Sequence, residues 1–491
     1  MIKNISSKAK TPAFVFLLAL LFITFFSPST SPLYHNVEQL DAGFFQVFGR
    51  NWAGGGNPYI TVWDQKGPVI FFLNMLGYLL TGSRFGVYIL QTVSLAIALY
   101  FMYRLLCEAF SAKQSALLTF FSLFALLNNY SDTGNCVEEW LLPLLVPSFW
   151  LLYKWTKRKD WPVTNFAHPY LCAFLYGAAF AFSLLTRLTN ALGICGAVFF
   201  VFLLLVCKRQ GKNLALNIVA FILGFLVLFV PFAIYFLMKG TFDEMWYATF
   251  TFNVDYAKNA PKQVVFSFNQ WLYLFKSAIT GIILFFVSVS MILFYPKRRM
   301  AGWLWLSVDV FSMAWLMTSN GFNHYFIITF PYFGIILCEL RNMQWLSGGN
   351  RIYRKALVAY PLVLAFACSY EIFMTFRQYA APNPNLPFYD TVNHDMGKDN
   401  AKTFLAYNTS PYIYLYLDRQ PAMRFFTYQS SQMSFSQSLK PKLVKSFKHA
   451  MPYWVLAKGD VSAINYFLLT RYIVYRQYPD GYVLWRRQHL Q

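Results

Sequence analysis

The chain has 491 residues, of which 57% are hydrophobic, 20% aromatic and only 12% charged, with a formal net charge of +21. Apolar runs long enough to cross a bilayer recur from residue 13 to residue 374, which predicts a polytopic helical membrane protein and excludes a water-soluble enzyme. The basic excess lies in short clusters between those runs, as in loops beside anionic lipid, so no nucleic-acid partner is expected.

In chain order, "PAFVFLLALLFITFF" (12–26) follows Lys3, Lys8 and Lys10 and lacks a small-residue cleavage site. It reads as a retained first helix over 13–28. Next comes an oddly polar stretch, "NVEQLDAGFFQVFGRNWAGGGNPYITVWDQKGP" (36–68), inside a loop over 29–84. The apolar segment "GPVIFFLNMLGYLLTG" (67–82) within that loop is short for a crossing and carries Pro68 and Gly77, so it reads as a re-entrant or interfacial helix. Further spans are expected near 85–103, 115–129, 141–153, 167–184, 190–206, 214–238, 277–295, 302–318, 325–340 and 356–374, giving about 11 transmembrane helices.

The loops between these spans alternate in charge, with 19 Lys and Arg on one side and 8 on the other. The positive-inside rule then places the amino terminus in the cytoplasm and everything after residue 374 outside, in a multi-pass cell-membrane protein. Acids show the opposite bias: Glu38, Asp41, Asp64, Asp132, Glu138, Glu139, Asp243, Glu244 and Asp255 all fall in outer loops. Carboxylates barely affect topology, so this bias points to proton abstraction or metal chelation at the outer face, against the plainer reading of solvated loop acids. Asp309 sits well inside a span and reads as a structural group facing the bundle. The long aromatic loop 239–276 is expected to be outside, as a sugar or isoprenoid contact or as an interfacial anchor. The seven cysteines show neither a disulfide framework nor a zinc spacing.

After residue 375, "APNPNLP" makes a linker. The runs "KTFLAYN", "MRFFTY", "YWVLAK", "YIVYRQY" and "GYVLWRR" then alternate with helical candidates. This predicts a C-terminal α/β extracytoplasmic domain over 375–491 with a largely parallel sheet, beside a transmembrane domain over 1–374.

The first-loop pattern "LDAGFFQVFGR" followed by "GNPY" and "VWDQKGP" resembles the bacterial GT-C glycosyltransferases. That family includes protein O-mannosyltransferases and the lipid A aminoarabinose transferase. "GNCVEEWLLPLL" (134–145), "TRLTNA" (186–191) and "FNHYFIITFPYF" (322–333) fit the same resemblance. It implies a glycosyltransferase that moves a sugar from a polyprenyl-phosphate-linked donor to an acceptor outside the membrane, with inversion. It also implies that Asp41 is the catalytic base or acceptor-orienting carboxylate, and that Lys66 stands near the lipid phosphate. Chemistry asks for both: the acceptor loses a proton as it attacks the anomeric carbon, and the leaving phosphate gains charge.

Asp64 reads as an ion-pair partner of Lys66 or as a turn residue. Gly54, Gly55, Gly56 and Pro58 read as backbone devices that turn the loop. The resemblance implies that either Glu138 or Glu139 is the second acid, contacting acceptor or metal, with Asp132 a weaker alternative and helix capping the competing role. Arg187 is a candidate for the donor phosphate, or a snorkelling cation, and His324 with Tyr325 for the phosphate or sugar. No pattern fixes a cofactor; separated loop carboxylates could hold Mg²⁺ or Mn²⁺. The acceptor class stays open, and a secondary transporter or a non-catalytic envelope-glycan assembly protein remain the alternatives.

Overall fold

The computed structural model describes residues 2–488 except 35, 36, 38–40, 131, 132, 165, 260–266, 318–321, 381, 382 and 384; for 2–10, 371, 379, 380 and 400 it describes the backbone alone. Glu38 and Asp132 lie outside the described residues. The chain divides into two compact units, one of residues 1–27, 90–232 and 263–378, the other of residues 28–89, 233–262 and 379–491.

The first unit is a helical bundle. Among the described residues of the whole chain, six helices are long and apolar enough to cross a membrane: Arg84–Leu106, Leu188–Cys207, Gly211–Met238, Phe268–Phe294, Asn323–Leu346 and Arg351–Gln378. Four shorter apolar helices accompany them, Thr11–Phe26, Pro68–Thr81, Ala112–Leu127 and Tyr170–Leu184. Val137–Thr156 and Arg299–Leu316 are also helical, so every segment expected to span lies on a helix. Asn323–Leu346 is almost wholly buried and forms the centre of the bundle, whereas few residues of Gly211–Met238 are buried.

Small residues set the closest crossings. A Cβ on Gly177 would overlap the Phe221 carbonyl, and one on Gly224 the Phe174 carbonyl, so Tyr170–Leu184 and Gly211–Met238 meet backbone to backbone at a reciprocal glycine pair. Such contacts replace the hydrophobic drive that helices lack in lipid. Some polar groups inside the bundle are well paired, whereas others, such as Asp309 Oδ1 and Ser288 Oγ, have no hydrogen-bond partner among the described residues. Glu339, fully buried, accepts from Arg298, from Trp305 Nε1 at 3.0 Å and from Asn342 Nδ2 at 2.9 Å. Without such partners a buried carboxylate would be costly. Asp309 is buried in helix Arg299–Leu316. All seven cysteines are free thiols.

The second unit carries the helices Asp41–Ala53 and Pro68–Thr81. The latter starts on Gly67 with Pro68 at its first position and stops on Gly82 (φ 69°), whose N–H bonds the Tyr78 carbonyl. The segment read as re-entrant or interfacial is therefore a 14-residue helix. The stretch 239–276, expected as a loop, is largely helical: Phe242–Trp246, a π-helical turn Tyr247–Thr251, and Phe252–Asn259, with Phe268–Phe294 opening on a Ser267–Gln270 capping box. The sequence signal was there in that box, but the aromatic richness of the stretch hid its helical period.

The sheet corrects a second expectation. β1 (Phe404–Tyr407), β2 (Trp454–Lys458), β3 (Tyr472–Gln477) and β4 (Tyr482–Arg487) are ordered β1-β2-β4-β3. Only β1 and β2 run parallel; β4 is antiparallel to both of its neighbours. The tight turn "YPDG", with Gly481 at φ 77°, joins β3 to β4 as a hairpin and forces that direction. "MRFFTY" (423–428) is not a strand. Its backbone is used elsewhere: the Arg424 carbonyl accepts from Trp63 N at 2.8 Å.

Candidate functional site

Asp41 is the first residue of helix Asp41–Ala53 and is exposed, where the helix dipole favours a carboxylate. The helix beneath it is fixed against Pro68–Thr81. The rings of Phe48 and Phe71 stack 3.7 Å apart, and a Cβ on Gly49 would stand 2.6 Å from Asn74 Cβ. The far end is fixed by Arg50, which bonds Asp418 Oδ1 at 2.9 Å, the Tyr414 carbonyl at 3.0 Å and the Arg419 carbonyl.

Between the two helices the chain turns through Gly55 (φ 88°) and Tyr59 (φ 64°, fully buried) and reaches Trp63-Asp64-Gln65-Lys66. This short loop is held on several sides. Beyond the Trp63–Arg424 bond, the Gln65 carbonyl accepts from Asn253 Nδ2 at 2.7 Å and the Lys66 carbonyl from the Tyr59 hydroxyl at 2.9 Å. Trp63 is wedged between Phe252 and Phe425, with ring centroids 5.1 and 5.3 Å away.

Asp64 Oδ1 accepts from Gln65 N at 2.6 Å, and the side chain is buried. Burial pushes its carboxyl from 3.8 up to about 6; the Lys66 ammonium pulls it down and the Asp41 carboxylate pushes it up further. Asp41, Asp64 and Lys66 thus form one electrostatic group: an exposed acid, a buried acid and a half-buried cation.

The remaining candidates assemble in the bundle unit. Glu138 and Glu139 occupy the first turn of Val137–Thr156 but turn apart. Glu138 Oε1 lies 3.2 Å from Arg187 Nη1, whose guanidinium carbon is 3.2 Å from the centre of the Tyr325 ring. His324 meets Tyr325 edge-on at 4.6 Å. Glu138, Arg187, Tyr325 and His324 are one cluster. Glu139 instead accepts from Gln91 and from the Tyr130 hydroxyl, at a small cavity with room for about one water. Adjacent helical positions point about 100° apart, which explains the split.

Residues 3–358 match the family described as the competence-induced protein Ccs4 N-terminal domain. The chain belongs to that family. No curated protein matches it in sequence. Among solved structures, this Ccs4-family chain resembles ArnT from Cupriavidus metallidurans in its apo state, at 15% identity and a TM-score of 0.58 over 97% of this chain and 98% of that one. It also resembles ArnT bound to undecaprenyl phosphate, at 14% identity and a TM-score of 0.57 over 96% and 97%. The Archaeoglobus fulgidus oligosaccharyltransferase overlaps more loosely, at 12% identity and a TM-score of 0.48 over 98% of this chain and 74% of that one. The fold of the chain is that of ArnT.

Several residues that hold the Trp63–Lys66 loop and the helix beneath Asp41 are not singled out by the sequence. Arg50 and Tyr59 lie inside the quoted "LDAGFFQVFGR" and "GNPY" patterns, but their contacts, like those of Asn253 and Arg424, depend on partners up to 369 positions away or on a backbone turn. Only the "GGGNP" turn gave a local signal, for Tyr59. Among the described residues no group of three or more His, Cys, Asp or Glu is placed to hold a metal ion. Asp41 and Asp64, with the Lys66 ammonium beside Asp64, fall short of the oxygen-rich set that Mg²⁺ or Mn²⁺ requires.

Proposed function

We propose that this protein is a membrane glycosyltransferase that moves a sugar from a polyprenyl-phosphate-linked donor to an acceptor outside the cytoplasm. One observation carries the reading. The ArnT fold spans nearly the whole of both chains, and within it an exposed carboxylate, Asp41, opens the helix that leads into the loop of a basic residue, Lys66. The neighbour ArnT was crystallised with undecaprenyl phosphate, a carrier of the proposed donor class.

On this reading Asp41 takes the proton of the acceptor hydroxyl or amine as its heteroatom bonds the anomeric carbon. The carbon–phosphate oxygen bond breaks on the opposite face, so the configuration inverts. The lipid phosphate leaves with the electron pair, and Lys66 offsets the charge it gains. Asp64, ionised above about pH 6, holds Lys66 in the loop. Arg187, Tyr325 and His324 serve the donor phosphate or sugar, with Glu138 fixing the Arg187 fork. Glu139, paired with Gln91 and Tyr130, is assigned a packing role. Residues 1–374, with their apolar helices, form the transmembrane domain with a cytoplasmic amino terminus, and residues 375–491 the extracytoplasmic one.

The test is transfer of labelled sugar from a purified polyprenyl-phosphate donor by wild type and by Asp41→Asn. Undiminished transfer by Asp41→Asn overturns the base assignment. Substrate uptake by proteoliposomes with no glycosyl transfer overturns the enzyme reading in favour of a transporter. Mass spectrometry of envelope glycans from a deletion strain then names the sugar and acceptor.

A further inference from the structure

Asn253 follows the π-helical turn Tyr247–Thr251 in the helical stretch Phe242–Asn259. A π turn shifts backbone bonding from i→i+4 to i→i+5 and displaces carbonyls from their ordinary partners; such turns gather at functional positions. Here the displaced carbonyls meet one side chain. Asn253 Nδ2 bonds the Ala248 carbonyl at 3.1 Å and the Thr249 carbonyl at 2.9 Å, and then reaches across 188 positions to the Gln65 carbonyl at 2.7 Å. All three partners are carbonyl oxygens, so the amide nitrogen, and not the oxygen, must face them.

A purely local reading, an Asn mending its own helix, accounts for the first two bonds only. The third and shortest goes to the peptide between Asp64 and Lys66, the two charged residues of the loop. The neighbouring Phe252 packs edge-on against Trp63 at 5.1 Å, so the same helical stretch grips both ends of the Trp63–Lys66 segment. Glu244, one helix upstream, pairs with Arg424 at 2.7 Å, and the Arg424 carbonyl holds Trp63 N.

We infer that Asn253 is a positioning residue: through the Gln65 carbonyl it fixes the backbone from which Lys66 reaches a polyprenyl phosphate. This rests on the glycosyltransferase reading above, and it adds a residue that no motif of the chain marks. The cost of losing it falls on binding of the lipid phosphate and passes through Lys66.

The experiment measures binding of undecaprenyl phosphate to the full-length protein in detergent by native mass spectrometry, for wild type, Lys66→Ala, Asn253→Ala and the double variant. Asn253→Asp is a second probe, of the same size but unable to donate to a carbonyl. Wild type is expected to bind, and each single variant to bind about tenfold or more weakly, the scale of one lost bond to a loop that carries a charge. The double variant is expected to be no weaker than Lys66→Ala alone, because the two residues act in series. Losses that add overturn the positioning role, as does unchanged binding by Asn253→Asp when Lys66→Ala is weakened. Failure of wild type to bind undecaprenyl phosphate overturns the lipid-donor reading itself, which separates the two failures.

Discussion

Arg187 and Glu138 form a buried ion pair: Nη1 and Oε1 are 3.2 Å apart, with the arginine side chain 21% exposed and the glutamate only 2%. Their roles differ, because the guanidinium also lies 3.2 Å from the Tyr325 ring centre, whereas the carboxylate is turned from solvent. An ion pair this enclosed resists loss of either partner more than it adds net stability.

Arg187→Ala leaves the Glu138 carboxylate buried and unpaired, and is expected to cost about 3–5 kcal/mol, seen as a lower Tm in detergent. Arg187→Lys keeps the charge but loses the planar stack on Tyr325 and is expected to fall between wild type and Arg187→Ala. Equal Tm for Arg187→Ala and wild type contradicts the burial argument.

Asp64 sets a pH dependence whose sign follows from its environment. Its folded value is raised from 3.8 to about 6, chiefly by burial, so the folded chain holds a proton that the unfolded chain has already released between those values. Stability therefore falls as pH rises from about 4 to 6 and is flat above, with a total of about 3 kcal/mol from the two-unit shift. Asp64→Asn removes this dependence. The Tm of Asp64→Asn minus that of wild type should grow between pH 4 and 6 and then level off; a constant difference contradicts the raised value.

The helical scaffold was legible because membrane solvent leaves a coarse signal, long apolar runs, that composition alone carries. The first-loop acids and Lys66 were legible as a motif. What stayed hidden depends on partners that period and composition do not reveal. The sequence left Glu138 and Glu139 equal, and only Arg187 on one side and Gln91 with Tyr130 on the other tell them apart. Asn253 lies 188 positions from the carbonyl it holds. The sheet direction follows from the Pro479-Asp480-Gly481 turn, which makes β3 and β4 an antiparallel hairpin, and not from the alternation of strands with helices that points to a parallel sheet.

Two glycines of the first loop should respond differently to alanine. At Gly49 a Cβ would stand 2.6 Å from Asn74 Cβ and 2.7 Å from the Asn74 and Met75 backbone, so Gly49→Ala must push apart the helices beneath Asp41. A loss of about 1–3 kcal/mol is expected, as for overpacking, with transfer activity lost alongside. At Gly55 nothing lies within 4 Å, and only the φ of 88° opposes a side chain, which predicts about 1 kcal/mol and near-normal transfer. Thermal unfolding and transfer assays on both variants check the contrast, and equal effects on both measurements contradict it.

Arg50 and Asp418 look like a salt bridge, yet magnitudes place the energy elsewhere. Asp418 is 94% exposed, so the ion pair is screened, and Asp418→Asn is expected to change stability by under about 1 kcal/mol. Arg50 is 14% exposed and also donates to the Tyr414 and Arg419 carbonyls, bonds from a cation to backbone that tie the Asp41–Ala53 helix to residues 414–419. Each such bond is worth roughly 1.5–3 kcal/mol, so Arg50→Ala should destabilise by several times the effect of Asp418→Asn. Arg50→Lys, with a single ammonium in place of the fork, should recover only part of it. Raising salt should leave the Arg50→Ala deficit nearly unchanged, because bonds to neutral carbonyls in a mostly buried setting are weakly screened. Comparing Tm for the three variants at low and high ionic strength checks this; a deficit that vanishes with salt would show that the exposed pair, and not the carbonyl clamp, holds the helix.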